Sequence, residues 1–311
     1  MKLIYMGTPE FAVAPLQALC DAGHEIAAVV TQPDRPNSRR GNQVVFSPVK
    51  QAAEILHLPV RQPERVSDAE SHAYLASLKA DAVVVCAYGQ LLAKNILNLT
   101  PFGCLNLHAS LLPKYRGAAP MHRCIIDGET ETGVTIMYMD EGLDTGDMMI
   151  SETVPIPFDM TVGILHDALA ACGSGLIVRA RELLRTGNAP RMSQDENKSS
   201  YAEKITKAEC EVDFSKDASD VYNLIRGLNP YPTAYTYFNG KIIKLYDVAY
   251  SGKCYNTSAG TVQKVGKDEL AVSCQNGSIF LKTVKPEGKR LMTATEFWIG
   301  LHGKENVRFG R

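Results

Sequence analysis

Four short apolar runs, Leu3 to Met6, Ile26 to Thr31, Ala82 to Ala87 and Cys104 to Leu107, alternate with helix-periodic segments at Pro9 to Ala22, Pro48 to Leu56, Asp68 to Leu78 and Gln90 to Leu97. Short runs rich in β-branched and aromatic side chains, with no polar face, mark parallel strands buried on both sides. Their alternation with helices predicts a doubly wound, mostly parallel sheet of the α/β class. Ligands of such sheets bind beyond the carboxyl ends of the strands, so chemistry is expected in the residues that follow each run. The first of these turns, Gly7-Thr8-Pro9-Glu10, lacks the GxGxxG spacing of a dinucleotide site. Thr8 is expected to cap a helix opening on Pro9, with Glu10 favoured by the helix dipole.

After the long helical stretch Val162 to Leu184 the pattern changes. Thr186-Gly187-Asn188-Ala189-Pro190 leads into a polar run from Ser193 to Ser200, the composition of a linker. A helix is expected from Ala218 to Arg226. Strands follow at Thr233 to Phe238 and Lys241 to Val248, joined by the hairpin signal Asn239-Gly240. Further strands near Gly260 to Val265, Glu269 to Ser273 and Ser278 to Val284 suggest a small β-barrel of the OB type. A chain of 311 residues accommodates two domains. They are placed at 1–189 and 205–311, with a linker at 190–204.

The whole chain carries a formal charge of -1, which at first argues against a polyanionic partner. Splitting the count changes that inference. Residues 1–189 hold 15 Lys+Arg and 20 Asp+Glu, a net of -5, whereas residues 190–311 hold 18 and 14, a net of +4. A basic barrel beside an acidic α/β domain can grip a phosphate backbone, although a solvated Lys-rich surface gives the same count. Eight scattered cysteines without CxxC or zinc-ligand spacing read as small buried hydrophobes in a reducing compartment. The opening apolar stretch is too short for a signal or membrane segment, so a cytoplasmic location with no membrane partner is expected.

Asn106 and His108 stand two apart at the carboxyl end of a strand and therefore project from one face. An amide donor and an imidazole aimed at one substrate atom suit a developing oxyanion. The alternative is a polar strand end that caps its own loop. Downstream, Asp140-Glu141-Gly142-Leu143-Asp144-Thr145-Gly146-Asp147 follows the strand Val134 to Tyr138. It lacks the ligand order and closing Glu of a calcium loop, so no metal is expected; the turn instead presents Asp144 to the cleft beside His108. A carboxylate there favours the charged imidazole, as a general acid or charge stabiliser. No nucleophile motif accompanies these residues, which favours direct transfer over a covalent intermediate. Arg35, Arg39 and Arg40 lie on the loop after the second strand, at the ligand edge, where arginines suit phosphate or stand as solvated loop charges.

The run Asn106-Leu107-His108-Ala109-Ser110-Leu111-Leu112-Pro113-Lys114-Tyr115-Arg116-Gly117-Ala118-Ala119-Pro120, with Gly142-Leu143-Asp144-Thr145-Gly146-Asp147 downstream, resembles the 10-formyltetrahydrofolate-dependent formyltransferases. Met6-Gly7-Thr8-Pro9-Glu10-Phe11-Ala12, Gln32-Pro33-Asp34-Arg35-Pro36 and Tyr201-Ala202-Glu203-Lys204-Ile205 extend the likeness through both domains. The resemblance implies a formyltransferase fold followed by an OB-like domain. It implies 10-formyltetrahydrofolate as cosubstrate and initiator methionyl-tRNA as acceptor; separately, the chain is expected to be a monomer. By position it makes Asn106, His108 and Asp144 catalytic and puts Ser110, Leu111, Leu112 and Pro113 at the folate. Arg39 or Arg40, together with Lys207, falls to the tRNA; Asn42-Gln43 stand where the family commonly has lysines. A sugar-nucleotide N-formyltransferase is the nearest rival. A non-enzymatic tRNA-binding module would leave the Asn106/His108/Asp144 set without a role.

Overall fold

The alternating pattern folds into a seven-stranded sheet. Its spatial order is Met148–Pro155, Glu131–Tyr138, Cys104–His108, Ala82–Cys86, Lys2–Gly7, Glu25–Val30, Val60–Arg61. The five strands from Cys104–His108 to Val60–Arg61 pair in parallel, and Glu131–Tyr138 runs antiparallel to Cys104–His108. Strand order reverses between Lys2–Gly7 and Ala82–Cys86, the switch point at which doubly wound sheets open a crevice. All five residues of Ala82–Cys86 are buried, which is why that strand reads as a continuous apolar run.

This computed structural model describes residues 1–37, 43–266, 269–301 and 307–310. The chain divides into two units that interleave along the sequence. Met1–Gly117, Thr132–Val154 and His166–Tyr201 make the first; Ala118–Glu131, Pro155–Leu165 and Ala202–Arg311 make the second. The polar stretch before Tyr201 is packed into the first unit, where Met192 bridges Met148.

Thr8 does not cap a helix. Glu10–Ala12 is a 3-10 turn with Pro9 at its N-cap and no side-chain cap. The Thr8 hydroxyl instead donates to the Tyr88 carbonyl at 2.8 Å and accepts from the Gln32 N–H at 3.4 Å. It joins the chain leaving three parallel strands, where partly buried backbone groups need partners more than one exposed helix end does. The helix expected from Gln90 shrinks to Lys94–Leu97. Gln90 is used elsewhere: its side chain accepts from the Val66 N–H and donates to the Pro63 and Glu64 carbonyls.

Helix Val162–Arg185 is long and apolar enough to span a membrane by length and composition. Its residues Leu169, Leu176, Ile177, Ala180 and Leu184 are buried at helical spacing, as a core-facing stripe requires. Beside its last turns, His24 is only 8% exposed, and neither ring nitrogen has a hydrogen-bond partner among the described residues. Burial, aided by the Arg181 and amino-terminal charges, lowers its pKa. Below about pH 6.5 the unfolded chain therefore takes up a proton that the folded chain resists. Stability from this site is complete above that pH and is expected to fall as pH drops toward the folded value, by at most about 1.4 kcal/mol per pH unit. His24→Leu should flatten melting temperature against pH between about 5 and 6.5; an unchanged slope would remove His24 as its source.

In the second unit, Asn239 and Gly240 both take positive φ (50° and 73°) and close Ala234–Phe238 onto Lys241–Leu245, the geometry Asn-Gly favours. Two of the expected strands break. Lys241–Leu245 and Thr283–Pro286 belong to one four-stranded sheet, while Val248–Ser251 and Ser278–Leu281 belong to another. Asp247 makes the corner: its carbonyl accepts from the Lys282 N–H at 2.9 Å and its carboxylate from the Thr283 hydroxyl at 2.8 Å. Strands that change sheet at such corners let two sheets share one core. That core holds Leu245, Val272, Ile279 and Leu281 under Val221 and Ile225 of helix Ala218–Gly227. At the start of this unit's last segment, Arg123 pairs with Glu209 at 2.7 Å, and Thr206 adds its N–H and hydroxyl; these bonds pull the Glu209 carboxyl down to about 2.

Candidate active site

Strand Cys104–His108 pairs Asn106 with Met137 and His108 with Thr135, so the period of two sends both polar side chains to one face. The turn after Glu131–Tyr138 brings Asp144 to them. Its carboxylate accepts from Asn106 Nδ2 at 3.3 Å and from the Gly117 N–H at 2.8 Å, and stands 3.6 Å from His108 Nδ1. Side-chain exposure is 7% for His108 and 13% for Asp144, so little water competes for these groups. His108 Nε2 lies 2.9 Å from the Tyr115 carbonyl. A carbonyl can only accept, so the hydrogen-bond network assigns a proton to Nε2, while Nδ1 faces Asp144.

The Asp144 turn is built by its neighbours. Asp140 accepts from the Gly142 N–H at 3.0 Å and the Thr145 hydroxyl at 2.8 Å. Asp144 itself has φ +56°, a left-handed conformation that Asp tolerates better than most residues. A Cβ on Gly146 would run into the Tyr138 carbonyl, so only glycine lets the turn lie this close to its strand. The other carboxylates of the cluster have their own cations: Glu141 pairs with Lys94 and Asp147 with Arg191. Among the described residues no group of His, Cys, Asp and Glu could hold a metal ion.

Ser110 to Pro113 leave the same strand end. The Ser110 hydroxyl donates to the Lys114 carbonyl at 2.6 Å and Ser110 is fully buried; Leu112 is 7% exposed and its N–H is held by Thr135 Oγ1. Leu111 and Pro113 are half-buried and keep apolar surface available. With its hydroxyl engaged inside its own loop, Ser110 is no nucleophile here. Burial pushes the thiols of Cys86, on the neighbouring strand, and Cys104, at the far end of the same strand, up to about 12, which withholds a thiolate at neutral pH. The cluster is an amide, an imidazole and a carboxylate, equipped to hold an oxyanion and move a proton.

Of the residues expected at the tRNA, Lys207 is exposed in the second unit, and Arg39 and Arg40 lie outside the described residues. Arg35 is exposed and pairs with Glu64 at 3.5 Å. Sequence reasoning missed the groups that hold Asp144 and His108: the Gly117 N–H, the Tyr115 carbonyl and Gln194. Backbone groups have no side-chain signature, and Gln194 sits in a polar run that reads as a linker.

The chain's first 180 residues match the formyl transferase family, and residues 204–302 match the formyl transferase C-terminal domain. The chain belongs to the formyl transferase family. Among its relatives, the methionyl-tRNA formyltransferase of Moorella thermoacetica is 45% identical over 300 residues, covering 96% of each chain. That of Pelotomaculum thermopropionicum is 43% identical over 311 residues, covering 100% of this chain and 99% of its own. A solved N-formyltransferase from Helicobacter canadensis, in complex with folinic acid and dTDP-3-aminofucose, shares the fold with a TM-score of 0.67 at 18% identity, over 90% of this chain and 98% of its own.

Proposed function

We propose that this formyltransferase moves the formyl group of 10-formyltetrahydrofolate to the α-amine of initiator methionyl-tRNA, giving the N-formylated aminoacyl-tRNA used to start translation. The observation that carries this reading is identity of 43–45% along essentially the whole chain to relatives named methionyl-tRNA formyltransferase. The polar cluster fits the chemistry. The α-amine has a pKa no higher than the roughly 7.7 to 8.0 of an ordinary amino group, so a substantial fraction is neutral and nucleophilic at cytosolic pH. Attack forms a bond from the amine nitrogen to the formyl carbon and places negative charge on the formyl oxygen. Asn106 Nδ2 has a second N–H besides the one given to Asp144, and it donates to that oxygen. His108 Nδ1 and Asp144 take the proton from the attacking nitrogen and return it to the departing folate nitrogen as the carbon–nitrogen bond breaks. Atoms and charge balance without a covalent enzyme intermediate. Leu111 and Pro113, beside the buried Ser110 and Leu112, offer the folate an apolar wall.

One assay tests the reading. Enzyme and 10-formyltetrahydrofolate are incubated with charged initiator tRNA, with an aminated sugar nucleotide, or with no acceptor. Formyl transfer to the tRNA alone is expected. Transfer to the sugar nucleotide at a comparable kcat/KM would overturn the acceptor assignment.

A further inference from the structure

Both polar atoms of the Gln194 side chain are engaged, one of them on Asp144 itself. Its Nε2 donates to the carbonyls of Asp144 and Gly146, each at 2.8 Å, and its Oε1 accepts from Arg116 Nε at 2.9 Å. Arg116 is fully buried and makes a two-pronged pair with Glu196, at 2.9 and 2.7 Å. The next residue, Gly117, gives its N–H to the Asp144 carboxylate. A closed ring results: Asp144 carboxylate, Gly117, Arg116, Gln194, Asp144 carbonyl. The same segment reaches the imidazole. Ser200 Oγ accepts from the Tyr115 N–H at 2.9 Å, and the Tyr115 carbonyl holds His108 Nε2.

We propose that Gln194 is a positioning residue for formyl transfer, fixing the Asp144 turn so that the carboxylate faces Asn106 Nδ2 and His108 Nδ1. The proposal rests on Asp144 serving the reaction. The turn needs such a tie because Asp144 holds a left-handed backbone that the chain does not favour by itself. Only an amide fits the post. It must supply two donors to two carbonyls and one acceptor to a buried guanidinium, and asparagine is a methylene shorter. Glutamate would set a carboxylate against two carbonyl oxygens; methionine would fill the volume and make none of the three bonds.

The test uses the full-length enzyme with Gln194→Met and, as a second and isosteric variant, Gln194→Glu. Turnover is measured at saturating 10-formyltetrahydrofolate and methionyl-tRNA and normalised to the folded fraction from thermal melting. A displaced carboxylate is expected to lower kcat by about 10- to 100-fold, with both KM values within about threefold. Adding Gln194→Met to Asp144→Asn is expected to cost no more than about twofold beyond Asp144→Asn alone, because a residue that acts through Asp144 then has nothing left to position. Losses that multiply in the double variant, or single variants that keep more than half of wild-type kcat, would overturn the positioning role while leaving the site intact. A fully active Asp144→Asn enzyme would overturn the site assignment and the positioning role together.

Discussion

Asn106→Ala is expected to lower kcat for formyl transfer by about 100- to 1000-fold, the usual loss when one oxyanion donor is removed, equivalent to about 2.7–4 kcal/mol of transition-state stabilisation. The geometry gives the reason. Asn106 is half-buried on a central strand, and Asp144 holds one of its two amide hydrogens at 3.3 Å, so the other is aimed before substrate arrives. A donor fixed in this way has little reorganisation left to undergo when charge develops on the formyl oxygen. The loss should fall on kcat more than on either KM, because the negative oxygen exists only along the reaction path. Stability should change little: the alanine leaves a half-exposed space and no buried polar group without a partner, since Asp144 keeps the Gly117 N–H. Steady-state rates with circular dichroism on the same samples check both halves of the prediction. A folded variant with more than about half of wild-type turnover would exclude the oxyanion role.

The contrast between Asn106 and Gln194 shows which parts of the site the sequence carries. Asn106 and His108 are legible because a strand's period of two is a local rule, and a polar pair at the end of an apolar run breaks the pattern visibly. Asp144 is legible as one carboxylate in an acidic turn, yet its distinction from Asp140 is not. Asp140 is consumed in building the turn, and Asp144 is turned toward the strand by its left-handed backbone and by contacts with Gly117 and Gln194, 27 and 50 residues away. Such contacts leave no periodic trace. Thr8 fails for the same reason. A Ser or Thr before Pro and Glu fits a helix cap, but bonds to residues 24 and 80 positions away claim its hydroxyl. Strands buried on both faces were readable almost to the residue, whereas the short edge strand Val60–Arg61 and the corner at Asp247 depend on partners that only the folded sheet supplies.

Raising salt should separate the two substrates. The segment from residue 190 onward carries a net charge of +4, and residues 240–311 alone hold 12 basic against 6 acidic residues. If about four to six phosphates are neutralised on binding, affinity for methionyl-tRNA should fall by about 100- to 2000-fold between 50 and 200 mM monovalent salt, since each contact releases close to one counterion. The folate carries only a few carboxylates and should lose less than about tenfold over the same range. Lys207 supplies a single-residue version of the test. It is exposed at the start of a 3-10 turn, next to the segment held by Glu209 and Thr206, so its removal should leave the local fold in place. Lys207→Ala is expected to reduce the slope of log K against log salt by about one and to weaken tRNA binding without changing folate affinity. The comparison isolates electrostatics from chemistry because the Asn106/His108/Asp144 cluster is untouched. Equal salt slopes for tRNA and folate would count against a phosphate grip by the basic carboxyl-terminal segment, and an unchanged slope in Lys207→Ala would remove that lysine from it.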